Sequence, residues 1–127
     1  MTPADYVEAL KERLLTDAVA ANFTILRERV TDSEAHLRAR VTLIDGGTLE
    51  FSEYAKIGAD DQMIVVTYSY HWADGRDALI QRWDNTPHFP TLPHFPHHSH
   101  TGPDNTPVPA QPMTLFTVLA EIARQLA

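Results

Sequence analysis

Residues 35–57 read AHLRARVTLIDGGTLEFSEYAKI, and this stretch decides the fold class. Its first half alternates strictly: Leu37, Ala39, Val41 and Leu43 point one way, and His36, Arg38, Arg40 and Thr42 point the other. Such alternation is typical of a half-buried strand. The Asp45-Gly46-Gly47 turn indicates a tight hairpin, because glycine tolerates the positive φ that such turns need. The stretch therefore predicts two antiparallel strands, 35–44 and 48–57.

Working outward, the same signals predict three more strands and a helix at each end of the chain. The strands are predicted at 23–30, at 62–72 and, after the Asp74-Gly75 turn, at 78–83. The N-terminal helix is predicted at 3–15 with an extension to about Ala20, and the C-terminal helix at 113–127 with Thr114 as N-cap. Because every connection between strands is short, neighbouring strands must be antiparallel. We expect a single α+β domain over residues 1–127: a five-stranded antiparallel meander with both helices packed on one face.

The segment between Pro87 and Pro112 differs sharply from the rest. It holds eight of the nine prolines and five of the seven histidines, with no Lys or Arg. Proline cannot donate a hydrogen bond to a sheet, so we expect a long Pro/His-rich loop before the last helix. A structureless loop of this length in a compact domain is usually functional or disordered, and its aromatic and imidazole rings favour order.

Composition excludes several classes of protein. The chain has no cysteine, so it forms neither disulfides nor thiolate metal sites. It has no long apolar run and no signal-peptide pattern, and we expect a cytoplasmic protein without a membrane partner. The net charge of −7 disfavours non-specific binding to long nucleic acids, although a local basic pocket remains compatible with it.

A composite motif runs from Tyr68 to His100. It comprises Tyr68-Ser69-Tyr70-His71, Asp74-Gly75, Arg82-Trp83-Asp84-Asn85, Pro87-His88-Phe89-Pro90 and Phe95-Pro96-His97-His98-Ser99-His100. This motif resembles the signature of the TumE-like family, toxins of type II toxin–antitoxin pairs. The sequence departs from it at Phe89 and Ser99, where members often carry a histidine and a lysine. The resemblance implies a toxin whose partner is a helix-turn-helix antitoxin.

The residues of this motif suit metal-independent cleavage of RNA. Such a reaction needs a general base, a general acid and a cation for the phosphorane. His88, His97, His98 and His100 are the candidate acid–base residues, and Arg82 is the candidate phosphate clamp, oriented by Asp84. Tyr68 and Tyr70 could stack bases, and Arg38 and Arg40 could extend the RNA-binding surface. This hypothesis needs no cofactor and no metal.

Two alternatives stay open. The first is a non-enzymatic protein-binding module, which would present exposed aromatic anchors at Trp72, Trp83, Phe89 and Phe95. The second is a metal-dependent hydrolase, in which His98 and His100, together with His94, His97 or Asp84, hold Zn²⁺ or Ni²⁺. The Arg82–Asp84 pair could also be a simple ion pair at the sheet edge, and His36 and His71 have no predicted role.

Overall fold

The structure is a computed structural model that describes residues 1–87 and 91–127. Two helices and seven strands follow one another along the chain: α1 (Pro3–Thr16), β1 (Ala20–Val30), β2 (Glu34–Leu43), β3 (Thr48–Ile57), β4 (Met63–Ala73), β5 (Leu79–Asp84), β6 (His98–Thr101), β7 (Thr106–Pro109) and α2 (Leu115–Leu126). All strands belong to one antiparallel sheet in the order β1-β2-β3-β4-β5-β6-β7. The predicted α+β class is therefore confirmed.

Both helices begin at side-chain caps. The Thr2 hydroxyl accepts from the Asp5 N–H and the Asp5 carboxylate accepts from the Thr2 N–H, which closes a capping box before α1. Thr114 caps α2, as the sequence predicts. Helix α1 ends at Thr16, before the predicted extension to Ala20, because Asp17 takes an extended conformation.

The prediction of five strands is wrong, because part of the Pro/His-rich segment forms the hairpin β6–β7. Pro107 and Pro109 do not prevent pairing, since they occupy alternate positions of the edge strand β7. An edge strand uses only every second N–H for its single neighbour, so a proline is tolerated at the positions between. Gly102 brings this hairpin against β5: an added Cβ would lie 1.8 Å from the carbonyl oxygen of Leu79.

The sheet has two chemically different faces, which we call the core face and the polar face. On the core face, alternate residues of β2, β3 and β4 join buried residues of α1 and α2 in one apolar cluster. Its largest buried side chains include Trp72, Tyr70, Phe51, Leu10 and Leu119. On the polar face, the residues between them carry arginine, histidine, serine and glutamate side chains.

Within the described part of the chain, neither helix is long and apolar enough to cross a membrane.

Candidate functional site

The register of the sheet aligns a set of polar side chains across the polar face. Arg40 lies opposite Glu50, Glu50 opposite His71, His71 opposite Arg82, and Arg82 opposite His100. Directly opposed residues have Cβ atoms about 4.5–5.5 Å apart, so these five residues form one continuous line, the Arg82 row. The row crosses five strands from β2 to β6.

A cavity of about 420 Å³ lies over the middle of this row. Arg38, Arg40, His71 and Arg82 line it, as do the acidic residues Glu50 and Asp77. The Arg38 guanidinium is paired with Glu50 at 3.1 Å, whereas the Arg82 side chain is 41% exposed. The cavity therefore offers guanidinium groups and one imidazole to a bound molecule.

The Arg82 row shares two residues with a second group, the Asp84 cluster, in which the partly exposed Arg82 joins the buried residues Asp84, His98 and His100. The Asp84 carboxylate is 1% exposed, and its Oδ1 lies 3.0 Å from His98 Nε2. Its Oδ2 lies 3.2 Å from Arg82 Nε and 4.0 Å from His100 Nε2. The ring of His98 meets that of His100 edge-on, with centroids 4.9 Å apart.

Backbone carbonyls fix the orientation of both imidazoles. Nδ1 of His98 donates to the Pro96 carbonyl at 2.9 Å, and Nδ1 of His100 donates to the Asn105 carbonyl at 3.2 Å. A carbonyl oxygen can only accept, so each Nδ1 carries a proton and each Nε2 faces Asp84. Because His98 Nε2 and Asp84 Oδ1 are within hydrogen-bonding distance, one proton lies between them, on the imidazole or on the carboxyl group.

His97 lies on the other face of the sheet. Its ring stacks on Tyr68 with centroids 5.8 Å apart, and the Tyr68 hydroxyl lies 2.7 Å from His97 Nδ1. The Met113 N–H donates to the same hydroxyl. Burial, then the charges of His94 and His98, lower the pKa of His97, which favours its neutral form.

The tyrosines predicted to bind substrate are core residues. Tyr68 is 6% exposed, Tyr70 is fully buried, and their rings stack on each other. Burial raises the pKa of both phenols, and for Tyr70 the neighbouring Glu53 carboxylate raises it further. Tyr54 lines a cavity on the polar face, and Tyr68 lines another of about 280 Å³ together with Ser52, Ser69 and Asn85.

The sequence analysis missed Glu53, a buried carboxylate at the meeting point of α1, the sheet and α2. It is 1% exposed and accepts hydrogen bonds from the Tyr6 and Tyr70 hydroxyls and from the Leu115 N–H at the start of α2. Its position was visible in the sequence, because Glu53 alternates with Leu49, Phe51 and Ala55 on the apolar side of β3.

The predicted site residues are thus divided between two faces. Arg82, Asp84, His98 and His100 come together, Arg38 and Arg40 line the adjoining cavity, and His97, Tyr68 and Tyr70 lie on the core face. His88, together with Phe89, lies outside the described residues. His71, which had no predicted role, lies directly opposite Arg82.

The aromatic anchors that a protein-binding module would need are mostly buried. Trp72 is 2% exposed and Trp83 is 3% exposed, contrary to the exposure expected under that hypothesis, whereas Phe95 is 43% exposed. A single exposed aromatic ring among these described residues is a weak interface signal, because isolated apolar residues are common on protein surfaces.

Most of the chain matches a known protein family. Residues 8–126 match the family described as toxin TumE, and the chain belongs to this family. It is therefore a toxin of a toxin–antitoxin system, which implies an antitoxin partner. Neither the curated proteins nor the solved structures contain a match.

Proposed function

We propose that this toxin cleaves RNA without a metal, using the Arg82 row as its active site. The observation that carries the proposal is the register His71–Arg82–His100, which puts an arginine between two histidines on neighbouring strands. At about 5 Å per strand, the Cβ atoms of His71 and His100 lie about 10 Å apart, with that of Arg82 between them. In the described arrangement Nδ1 of His100 donates to the Asn105 carbonyl and Nε2 faces Asp84. The proposal therefore requires the His100 ring to turn toward the cavity when RNA binds, which would put a phosphate held by Arg82 between an acid and a base.

The reaction requires two proton transfers and no external oxidant or cofactor. One imidazole removes the proton from a ribose 2′-hydroxyl, whose oxygen attacks the adjacent phosphorus and forms a new P–O bond. The other imidazole donates a proton to the 5′-oxygen as its bond to phosphorus breaks. The products are a 2′,3′-cyclic phosphate and a free 5′-hydroxyl. The Arg82 guanidinium stabilises the extra negative charge of the phosphorane, as preorganised cations do in other active sites.

Asp84 and His98 act in this proposal as positioning residues. Both are buried and cannot contact RNA in the described arrangement, but Asp84 Oδ2 faces both Arg82 Nε and His100 Nε2. The carboxylate thus holds the guanidinium toward the cavity and orients the ring of His100. His98 Nε2 lies within hydrogen-bonding distance of the other carboxylate oxygen, Asp84 Oδ1, and helps to hold the carboxylate in place.

The partner in this proposal is a helix-turn-helix antitoxin that covers the cavity over the Arg82 row in the cytoplasm. Arginines that would hold phosphates are also suitable for acidic side chains of a protein. Occupation of this cavity would exclude RNA and silence the toxin. Addition of purified antitoxin should protect RNA stoichiometrically, and protection that survives neutralisation of both Arg38 and Arg40 would place the antitoxin elsewhere.

A second candidate function, a metal-dependent hydrolase, is favoured by the ligand geometry of Asp84, His98 and His100. One ligand atom from each lies within 4.8 Å of the others, and both Nδ1 atoms are held by carbonyls, which leaves Nε2 directed inward. Imidazole and carboxylate suit Zn²⁺ or Ni²⁺, and such second-sphere hydrogen bonds are typical of metal ligands. The Arg82 guanidinium at 3.2 Å from Asp84 opposes it, because a cation already occupies that side of the carboxylate.

Expression and RNA degradation together test the two candidates. Wild type, Arg82→Gln, His71→Ala and the loop control His94→Asn are each induced in cells, purified, treated with EDTA and incubated with total RNA. We expect wild type and His94→Asn to arrest growth and fragment RNA. His71→Ala should lose about 10²–10⁴-fold in rate and Arg82→Gln about 10²–10³-fold, with both variants still folded at the assay temperature.

Retention of wild-type rates by both variants would contradict the Arg82 row as the active site. Activity that disappears with EDTA and returns with one specific metal would replace the proposal by the metal-dependent hydrolase.

A further inference from the structure

A second cavity, of about 280 Å³, lies on the polar face at the far end from His100. Arg27 and Arg29 of β1 line it together with His36, Tyr54 and Thr67. The register places Arg27 opposite Arg38 and Arg29 opposite His36, so both arginines share the face of the Arg82 row. The proposed cleavage chemistry does not use this cavity.

Positive charge is concentrated on this face. Five of the eight arginines of a chain with net charge −7 lie here: Arg27, Arg29, Arg38, Arg40 and Arg82. Arg27 and Arg29 are exposed, and within residues 1–87 and 91–127 neither forms an ion pair. Glu34 also lines this cavity and accepts a hydrogen bond from the Tyr54 hydroxyl at 2.7 Å.

Tyr54 gives this cavity an aromatic ring. It is half-buried, its hydroxyl is held by Glu34, and the Lys56 ammonium lies 5.6 Å from the ring centroid. A ring fixed in this way stacks a base at a small cost in side-chain entropy, and stacking requires a base that is unpaired and accessible. The cavity thus combines two guanidinium groups for phosphates with one ring for a base.

We infer that the second cavity binds a segment of single-stranded RNA that continues from the scissile phosphate at Arg82. From β5 to β1 the path crosses four strand spacings, or about 19 Å, and Arg40 and Arg38 lie along it. The inference rests on the proposed function for the position of the scissile phosphate. Arg27 and Arg29 hold phosphates, Tyr54 stacks a base, and the substrate is single-stranded because a duplex hides its base faces.

Binding to an RNA that cannot be cleaved tests the inference without catalysis. The probe is a fluorescent 12-nucleotide single strand with 2′-O-methyl groups throughout, measured by anisotropy between 50 and 300 mM salt. For single strands the salt slope changes by about 0.7 per phosphate contact, so Arg27→Ala with Arg29→Ala should lower it by about 1.4 and weaken binding about 25-fold at 0.1 M salt. Tyr54→Leu should weaken binding about 5–100-fold with an unchanged slope.

The matched control removes two positive charges from the helices, Lys11→Ala with Arg124→Ala, and should leave the salt slope unchanged. If this control lost as much RNA affinity and salt slope as the Arg27/Arg29 variant, the effect would come from net charge alone and the inference would be overturned. Equal affinity of wild type for a duplex of the same length would also overturn it. The inference would also be overturned if the variant with both Arg27→Ala and Arg29→Ala bound the RNA probe with wild-type affinity, even if that variant no longer bound the antitoxin.

Cleavage separates this inference from the proposed function. A dinucleotide substrate reaches only the Arg82 row, so the Arg27/Arg29 variant should cleave it at the wild-type rate and lose efficiency only on longer RNA. If wild type binds the probe as expected but cleaves nothing, the binding path stands and the nuclease proposal fails. If Arg82→Gln abolishes cleavage while the Arg27/Arg29 variant binds normally, the nuclease stands and the path fails.

Discussion

Removal of the Tyr6 hydroxyl is expected to destabilise the fold by about 1.5–2 kcal/mol, because it takes one donor from the buried carboxylate of Glu53. Glu53 accepts from Tyr6, Tyr70 and the Leu115 N–H, and a hydrogen bond to a charged group contributes about 1.5–3 kcal/mol. Tyr6 is only partly buried, so the cost of Tyr6→Phe should fall at the lower end of this range. Tyr70 is fully buried, which favours about 2–3 kcal/mol for Tyr70→Phe.

Loss of both hydroxyls should cost more than the sum of the two single losses. The double variant leaves Glu53 with the Leu115 N–H as its remaining donor in the described residues, and an under-compensated buried charge is strongly destabilising. Burial and the Glu53 carboxylate raise the pKa of both phenols, so both remain protonated donors across the working pH range.

Urea unfolding with unchanged m-values measures these effects. The control is Tyr54→Phe, which removes a hydroxyl bonded to Glu34 at the half-buried polar face and should cost about 0.5–1 kcal/mol. In a Glu53→Gln background the cost of Tyr6→Phe should fall, because the acceptor no longer carries a charge. Two results would refute the role given to Glu53. One is a loss of unfolding free energy in Tyr6→Phe and Tyr70→Phe no larger than in the Tyr54→Phe control. The other is a loss in Tyr6→Phe that is unaltered by Glu53→Gln.

Two further predictions concern stability. The pKa of His97 is lowered, chiefly by burial against Tyr68, so the unfolded chain binds more protons below about pH 6.5 and stability falls as pH falls from 7 to 5. Thermal unfolding of the His97→Asn variant should show a smaller loss of stability between pH 7 and pH 5. Part of the loss should remain because the pKa of His36 is also lowered. A loss of stability in His97→Asn equal to that in the loop control His94→Asn would contradict this. Asn85→Ala should cost about 1–2 kcal/mol in urea unfolding, since its amide group both donates to and accepts from the β4 backbone. Asn85→Asp keeps only the acceptor and should retain part of that stability, whereas equal losses would exclude the acceptor as a contributor.

The elements from α1 to β5 and α2 could be predicted from the sequence because their signals are local. Alternation fixed which residues of 35–57 share a face, and the Asp45-Gly46-Gly47 turn fixed their pairing; Gly46 has the positive φ of 89° that the turn needs. The hairpin β6–β7 was missed because its prolines argue locally against a strand. The sheet tolerates these prolines because β7 is an edge strand, and which strand lies at the edge is a property of the whole sheet.

The site was only partly predictable for a similar reason. The motif identified Arg82, Asp84, His98 and His100, but it could not distinguish His97 from His98, because the face of each depends on the register with β5. His71 was overlooked although the Asp74-Gly75 turn brings it near Arg82. Its role requires the pairing of β4 with β5, including the irregularity after Trp72.

The decisive measurement is cleavage of a short RNA by EDTA-treated wild type, compared with the same RNA carrying 2′-deoxyribose at the cleaved position, and with the His71→Ala variant. The account predicts that wild type cleaves the all-ribose strand to a 2′,3′-cyclic phosphate, leaves the 2′-deoxy position intact, and loses about 10²–10⁴-fold in rate when His71 is removed. Cleavage at the 2′-deoxy position, or an intact all-ribose strand until a divalent metal is added, would contradict it.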